Sequence, residues 1–174
     1  MDAIRKARPS DLPAILDTLK RCVAWMQGGG IDQWDEIYPN AEKFTGDVEG
    51  GNLFLFDAKG VVAAVVVLDT RPDPEYAAMA WKHGAESAGI VHRLMVRPEF
   101  QGQGLARRMM EFAEEEARRR GYASIRLDAF TKNPGALGLY ENLGYSRVGT
   151  IQLRKGIFQC FEKEMPEGRL AMPD

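Results

Sequence analysis

The chain has little of what would tie it to a metal or to a disulfide framework. It contains only two cysteines and two histidines, and neither His83 nor His92 has a partner at metal-ligand spacing. Cys22 and Cys160 form no C-x-x-C pair, so both are expected to be buried thiols in a reducing compartment. The sequence therefore predicts no bound metal and a cytoplasmic location.

Long apolar runs and a charge excess of one sign are also missing. Residues 61–68 form the longest apolar run, which is far too short to span a bilayer, and residues 1–8 lack the apolar core of a signal peptide. A net charge of −2 gives no electrostatic attraction to nucleic acid or to an anionic membrane. Neither is expected as a partner.

What is present is typical of one globular domain over residues 1–174. Hydrophobic residues make up 45% and charged residues 28% of the chain, enough for one well-buried core. A strand over residues 4–7 leads into a helix with Ser10 as its predicted N-cap, and the glycines at 28–30 end that helix. The tail, residues 166–174, is expected to be loosely ordered.

The most informative stretch is residues 91–110, an apolar strand followed by a glycine-rich turn and a helix. Pro98 ends the strand because it has no N–H group to donate and forces Arg97 into an extended conformation. Gly102 and Gly104 can adopt positive φ angles and leave the backbone open to a ligand. Because the helix directs its unpaired N–H groups into the turn, the stretch predicts a diphosphate site.

Two common phosphate loops do not fit this turn. It lacks the Lys-Ser/Thr pair of a nucleotide P-loop, and Arg107 stands where a dinucleotide loop needs its third glycine. The turn instead resembles the Gln/Arg-x-x-Gly-x-Gly/Ala pyrophosphate loop of the GCN5-related N-acetyltransferase (GNAT) family; the alternative is an ordinary glycine-rich turn. The six matching residues are Gln101, Gly102, Gln103, Gly104, Leu105 and Ala106.

A second motif further along resembles the family's Asn-x-x-Ala-x-x-x-Tyr-x-x-x-Gly-Phe/Tyr pattern. Pro134 follows the predicted helix cap and stands at the first helical position. Gly135 and Gly138 should each destabilise this short helix by about 1 kcal/mol relative to alanine, which suggests close approach of a ligand or of neighbouring backbone. The matching residues are Asn133, Ala136, Tyr140, Gly144 and Tyr145.

The resemblance implies an α/β (α+β) fold: a mixed, largely antiparallel twisted sheet flanked by helices, with two central strands splayed apart. Acetyl-CoA would be the co-substrate and residues 88–145 its binding core. Backbone groups of Leu94, Met95 and Val96 would pair with the acetyl carbonyl and the pantetheine amides. Asn133 would bond to the pantetheine arm or to the adenosine side.

The implied reaction is direct transfer of an acetyl group to a primary amine in a ternary complex. Tyr140 would lie near the sulfur as the general acid, with core packing as its alternative role. His92 matches a histidine of some relatives and could relay the amine's proton through a water, or be purely structural. Ile90 stands where other relatives carry a glutamate base, and Asp128 is expected to be structural.

The acceptor side is assigned to residues 1–50. Trp34 and Tyr38 could wall a substrate pocket, and Asp32, Asp35 or Glu36 could attract a cationic amine. The alternative is that the aromatic side chains only pack the loop down while the acids are solvated.

The long connection over residues 69–87 is expected to contain a short helix near residues 74–82. This helix would cover either the acceptor site or an oligomer contact, and a homodimer is left open.

The predicted function is that of an acetyl-CoA-dependent N-acetyltransferase acting on a small-molecule amine. Acetylation of a protein N-terminus or of a lysine is the nearest rival. A non-catalytic acyl-CoA-binding regulatory domain is the alternative from a different class.

Overall fold

A computed structural model describes residues 3–167 of the chain. Seven strands form one sheet: β1 (Ala3–Lys6), β2 (Leu53–Ala58), β3 (Val61–Asp69), β4 (Ala88–Val96), β5 (Ser124–Phe130), β6 (Ser146–Leu153) and β7 (Gly156–Glu164). The strand order is β1-β2-β3-β4-β5-β7-β6. Every neighbouring pair is antiparallel except β4 and β5, which are parallel. The predicted mixed, largely antiparallel sheet is confirmed.

Helices cover both faces of this sheet. They are α1 (Leu12–Gly28), α2 (Ala41–Glu49), α3 (Leu105–Arg119) and α4 (Pro134–Asn142). Alternate residues of β3 pack in opposite directions, Val65 and Val67 with α1 and α2, and Ala64 and Val66 with α3. Because both of its faces are buried, β3 is a continuous apolar run.

The start of α1 differs from the prediction. Ser10 lies in a 3₁₀ turn, Pro9–Asp11, and does not cap the helix. The Asp11 carboxylate instead accepts the Arg8 N–H at 2.7 Å and a bidentate pair from Arg5 at 2.8 and 2.9 Å. These bonds hold the chain in a tight turn before the helix begins.

The central strands β4 and β5 form a fork. They pair over three residues, Ala88 with Ser124, Gly89 with Ile125 and Ile90 with Arg126, and the described residues show no further pairing between them. Just past the fork the register between β3 and β4 shifts, and Arg93 has a φ of 50°. This bulge turns β4 further from β5. The predicted splayed strand pair is confirmed.

The connection between β3 and β4 folds over the side of the fork that lies opposite α3. Its helix is shorter than predicted and is a 3₁₀ helix, Pro74–Ala78. The buried Tyr76 donates its hydroxyl to Asp128 at 2.6 Å, and its carbonyl accepts the Trp81 indole N–H at 2.7 Å. These anchors turn the chain back after one short helix. Beneath it lies a small apolar cluster that includes Ile90, Phe130, Phe158 and Cys160.

Two further sequence predictions concern the cysteines and the C-terminal tail. Cys22 and Cys160 are free, buried thiols, as expected. Part of the predicted loose tail, residues 168–174, lies outside the described residues. Within residues 3–167 no helix combines the length and the apolar character needed to cross a membrane, and no cluster of three or more potential ligands suits a metal ion.

Candidate active site

The glycine turn, residues 101–106, presents unpaired backbone amides. Gln101 N–H donates to the Pro98 carbonyl at 3.2 Å, whereas the N–H groups of residues 102–106 donate to no group among residues 3–167. Gly102 and Gly104 both have a φ of 75°, and a Cβ on either would meet no atom of the described residues within 4 Å. A cavity of about 310 Å³ adjoins the turn and is also lined by Leu139 and Asn142 of α4. The turn is therefore an anion cradle at a helix N-terminus.

The side chains around the turn differ in what they offer to an anion. Arg107 lines the same cavity, and its nearest carboxylate, on Glu111, is 3.7 Å away. The Arg108 guanidinium instead lies over the Phe56 ring, 4.9 Å from its centroid. Gln101 is turned back, with Nε2 donating to the Val96 carbonyl at 3.1 Å. Arg107 is thus the cation available here, and Gln101 holds the turn against β4.

The three predicted strand residues of β4 face different surroundings. The Leu94 side chain lines a cavity at the fork, whereas Met95 is buried in the layer formed with α1 and α2. The Val96 carbonyl already accepts hydrogen bonds from Gln101 and from the Cys22 thiol, the latter at 3.3 Å. Of the three residues, only Leu94 lines the cavity at the fork.

The main cavity, about 330 Å³ in volume, lies where β4 and β5 separate. Four residues predicted from sequence as catalytic or substrate-binding, from three distant parts of the chain, meet on its wall. Apolar side chains of β4, β6 and β7, two carboxylates and Gln33 also line it, together with three cationic side chains, those of Arg93, Arg154 and Lys155. The lining includes Trp34, Tyr38, Asp73, His92, Leu94, Asp128, Tyr140, Leu153 and Phe158.

Tyr140 extends from α4 to the inner wall of the main cavity. It is 7% exposed, and its ring packs 5.9 Å from Tyr145 and 5.8 Å from Phe161. Burial, and then the nearby charge of Asp128, raise the pKa of its hydroxyl above the usual value, and no hydrogen bond within residues 3–167 opposes this. The hydroxyl stays protonated and can donate a proton into the cavity.

His92 has its two ring nitrogens in different roles. Nε2 lies 3.0 Å from Asp69 Oδ1 and 3.1 Å from the Arg71 carbonyl oxygen. Since both partners are acceptors, the hydrogen is assigned to Nε2, and in the neutral ring Nδ1 keeps its lone pair. Burial would raise the pKa of Asp69, but the hydrogen bond and charge of His92 hold it below the usual value.

His92 also connects two cavities. It lines the main cavity and an outer, more polar cavity of about 420 Å³, to which Lys43, Asp69 and Arg71 contribute. A proton accepted from the main cavity therefore has a route towards solvent along this side chain.

Asp128 was expected to be structural, yet it lies on the wall of the main cavity. Its Oδ2 accepts the Tyr76 hydroxyl at 2.6 Å. Burial raises the pKa of this carboxyl to about 6, although the Tyr76 hydrogen bond acts in the opposite direction. The sequence signal was weak, because Asp128 is a single acidic residue in a strand that carries no recognisable motif.

Arg93 was missed by sequence reasoning. It is buried in the β4 bulge, where Nε and Nη2 each donate to Asp47 of α2 at 2.7 Å. Its Nη1 donates to the Tyr38 hydroxyl at 2.8 Å. Arg93 thus ties the bulge to α2 and orients one of the predicted pocket aromatics.

The acids of the loop over residues 31–39 are already neutralised in part. Asp35 forms a bidentate pair with Arg154 at 2.8 and 2.9 Å and a further pair with Lys155 at 2.9 Å. Asp32 also pairs with Lys155, at 2.6 Å. Arg154 and then Lys155 hold the pKa of Asp35 well below its usual range. These carboxylates fasten the loop to the β6–β7 turn, so they are poor candidates for attracting an amine.

Asn133 joins this loop to α4. Its Oδ1 accepts the Ala136 N–H at 3.2 Å, which confirms the predicted cap, and its Nδ2 donates to Gln33 at 3.0 Å. The two helix glycines are not explained by neighbouring backbone. A Cβ at Gly138 would meet nothing within 4 Å, and one at Gly135 would meet only the Asn133 side chain, at 3.6 Å.

Comparison with known proteins points to one family. Residues 14–145 match the model of the acetyltransferase (GNAT) family. The uncharacterized N-acetyltransferase YesJ of Bacillus subtilis is 30% identical over 158 residues, covering 89% of this chain and 86% of the relative. The alanine N-acetyltransferase of ribosomal protein bS18 from Escherichia coli is 38% identical over 150 residues, covering 85% and 83%.

Solved structures share the fold. A GNAT-family acetyltransferase from Streptococcus agalactiae superposes with a TM-score of 0.83 at 24% identity, covering 94% of this chain and 95% of the other. The PaiA N-acetyltransferase of Thermoplasma acidophilum, in complex with coenzyme A, gives a TM-score of 0.70 at 16% identity, with 94% and 99% covered.

Proposed function

Because this chain belongs to the GNAT acetyltransferase family, we propose that it transfers an acetyl group from acetyl-CoA to the primary amine of a small molecule. The activity class, N-acetyltransferase, follows from the family and its named relatives. The observation that carries the choice of acetyl donor is the run of unpaired amides over residues 102–106, next to Arg107. Amides so arranged suit a diphosphate.

Acetyl-CoA, the acetyl donor, would bind at two places, the glycine turn and the fork between β4 and β5. The amides of residues 102–106 would hold the diphosphate, and Arg107 would add a positive charge. Backbone groups of β4 beyond Ile90 no longer pair with β5, so groups near Leu94 are available to the arm and to the acetyl carbonyl. Acetyl-CoA supplies the activated acyl group as a thioester.

Tyr140 and His92 would handle the protons. A lysine-like amine is mostly protonated at neutral pH, so a proton must leave before the amine can attack. His92 would accept this proton on Nδ1 and release the proton on Nε2 towards the outer cavity, where Asp69 and Arg71 lie. Tyr140, whose raised pKa keeps its hydroxyl protonated, would donate to the leaving sulfur.

The size and covering of the main cavity favour a small acceptor. Trp34 and Tyr38 wall a space of about 330 Å³, and Asp35 fastens their loop to the β6–β7 turn. A protein N-terminus is the second candidate, because the 38% identical relative acts on an alanine of ribosomal protein bS18.

Thiol release from acetyl-CoA decides between these acceptors. The assay would compare a panel of small primary amines with short peptides that begin with alanine. We expect faster release with at least one small amine than with any peptide. The opposite order would establish the protein acceptor, and acetyl-CoA binding without thiol release from any acceptor would establish a non-catalytic role.

A further inference from the structure

Asp73 lies where the main cavity meets the outer one. It belongs to the connection between β3 and β4 and lines both cavities, with Pro72 before it and Pro74 after it. Its backbone is extended, with a φ of −62° and a ψ of 146°, as a following proline favours. Because both neighbours have a restricted φ, the connection holds the backbone of Asp73 at a fixed place on the shared wall.

The Asp73 side chain does not make the hydrogen bond that its position normally provides. Asp73 is the N-cap of the 3₁₀ helix Pro74–Ala78, and aspartate is favoured at N-caps because its carboxylate accepts an N–H of the first turn. Here the Tyr76 N–H donates to the Asp73 backbone carbonyl at 3.0 Å, and the side chain caps nothing. Within residues 3–167 this carboxylate takes part in no hydrogen bond or ion pair.

The charged groups of the main cavity leave a negative excess. Each of its three cationic side chains already has a carboxylate partner. These pairs are Arg93 with Asp47, Arg154 with Asp35, and Lys155 with Asp32 and Asp35. The two carboxylates on the cavity wall, Asp73 and Asp128, have no cationic partner within residues 3–167. An acceptor in this cavity therefore meets two negative charges that the described residues do not balance.

The charge of Asp73 acts on the groups around it without being neutralised. Lys43 and Arg71 contribute cations to the outer cavity, but neither forms an ion pair with Asp73. Burial is the main cause of the raised pKa of both Asp128 and Tyr38, and the charge of Asp73 adds to it in each case. A cation bound at Asp73 would relieve this repulsion.

The opposite end of the main cavity has a polar group without a partner. Tyr140 is 7% exposed, and its hydroxyl forms no hydrogen bond within residues 3–167, although buried hydroxyl groups are normally satisfied. Tyr140 lines the main cavity alone, whereas Asp73 lines the main and the outer cavity. A ligand that satisfies both groups needs one polar end at the fork and a second, cationic end at Asp73.

We propose that Asp73 binds a second cationic group of the acceptor, so that the acceptor is a diamine. One amine would react at the fork, while the other, as an ammonium group, would pair with Asp73 where the two cavities meet. This inference rests on the proposed function, since it names the acceptor class of the same cavity. Asp73 is a specificity-determining residue: the second ammonium group keeps its proton, and no bond to it forms or breaks.

Calorimetric titration in the presence of coenzyme A tests this binding without turnover. The probes are the straight-chain α,ω-diamines from 1,3-diaminopropane to 1,6-diaminohexane. Each is compared with the amino alcohol of the same length, in which a hydroxyl replaces one amine. We expect at least one diamine to bind the wild-type protein about tenfold more tightly than its amino alcohol, because a partly buried ion pair outweighs an exposed one.

Asp73→Asn should remove this preference, because it keeps the size of the side chain and loses its charge. Glu75→Gln is the matched control. It removes the same charge from an exposed residue of the same connection that lines neither cavity, and it should leave the preference unchanged. The affinity for coenzyme A, measured first in each sample, shows that the variant is folded.

Three results would overturn the proposal. They are a wild type that binds no diamine more tightly than its amino alcohol, an unchanged preference in Asp73→Asn, and an equal loss in Glu75→Gln. The last result would mean that the acidic connection attracts cations without a defined site.

Asp73→Lys supplies a reciprocal test. With the charge reversed, the ω-amino acid of the best chain length should bind more tightly than the amino alcohol, and the diamine more weakly. A segment that only covers the cavity would not exchange one preference for the other. A diamine preference retained in this variant would contradict the role of Asp73.

Thiol release from acetyl-CoA separates this inference from the proposed function. Equal kcat/KM values for diamines and amino alcohols in the wild type would refute the role of Asp73 and leave the proposed function in place. A wild type that binds acetyl-CoA but releases thiol with no amine would refute the proposed function itself.

Discussion

Tyr140 combines burial with an uncommitted hydroxyl, an arrangement unusual for a core aromatic. Tyr145, by contrast, donates its hydroxyl to Glu114 at 3.1 Å. Buried hydroxyl groups are normally satisfied in this way. A free hydroxyl facing the main cavity is what a proton donor to substrate requires.

Tyr140→Phe should therefore lower kcat by roughly 10²–10⁴ while leaving acetyl-CoA affinity nearly unchanged. The reason is that only the departing thiolate uses the hydroxyl. Steady-state kinetics with the best acceptor, together with a donor titration, measure both quantities. Tyr145→Phe is the matched control. Wild-type turnover in Tyr140→Phe would assign Tyr140 to packing.

His92→Ala should change the pH at which the rate falls on the acid side, because a proton acceptor must be deprotonated to work. A pH–rate profile of kcat/KM measures this. If the variant and the wild type gave the same pH–rate profile, His92 would take no part in proton transfer and would serve only as the hydrogen-bond partner of Asp69.

At the residue scale, sequence reasoning found the groups that sit in recognisable motifs, such as Gly104 and Asn133. It did not find Arg93. The importance of Arg93 depends on the bulge of β4 and on α2, which lies beneath it. Contacts such as Arg93 to Asp47 join residues far apart in the chain, and nothing in the local sequence of either marks the pairing.

Among the elements, the β4 bulge depends on a buried ion pair. The side chains of Arg93 and Asp47 are 2% and 4% exposed. Loss of one partner leaves the other charge buried without compensation.

Asp47→Ala should lower the free energy of unfolding by about 3–5 kcal/mol, measured by urea denaturation. Asp17→Ala removes the partner of Arg21 and Arg97 at an exposed site and should cost less than about 1 kcal/mol. If both variants lost the same free energy of unfolding, the buried ion pair would contribute no more to stability than the exposed one.

Element types followed from sequence more reliably than element ends. The helix predicted before the glycines at 28–30 is α1, and the strand and helix predicted within residues 91–110 are β4 and α3. The start of α1 was wrong because Asp11 is engaged by Arg5 of the neighbouring strand β1. The 3₁₀ helix Pro74–Ala78 is short because Tyr76 is anchored to Asp128 of β5. Both errors come from partners that only the tertiary fold supplies.

For the molecule as a whole, donor binding should be linked to stability. Acetyl-CoA at about one hundred times its Kd should raise the free energy of unfolding by about 2.7 kcal/mol, seen as a higher Tm. Gly104→Val should abolish this rise, because a β-branched residue strains the positive φ that exposes the amides.

Gly121→Val is the matched control. Gly121 has a φ of 76° just past the other end of α3, so the backbone penalty is similar while the turn is untouched. This variant should have a lower starting Tm and keep the full rise with acetyl-CoA. An undiminished rise in Gly104→Val would refute the assignment of the turn.

Donor and acceptor are served by nearly separate parts of the chain. The turn before α3 and the adjoining cavity use residues 96–107 and α4, whereas the loops that contain Trp34, Asp73 and Arg154 line the main cavity and not the cavity at the turn. The sequences of those loops can therefore change during evolution without altering how the coenzyme is bound. A lineage built on this scaffold is free to exchange one amine for another while its acetyl source stays the same.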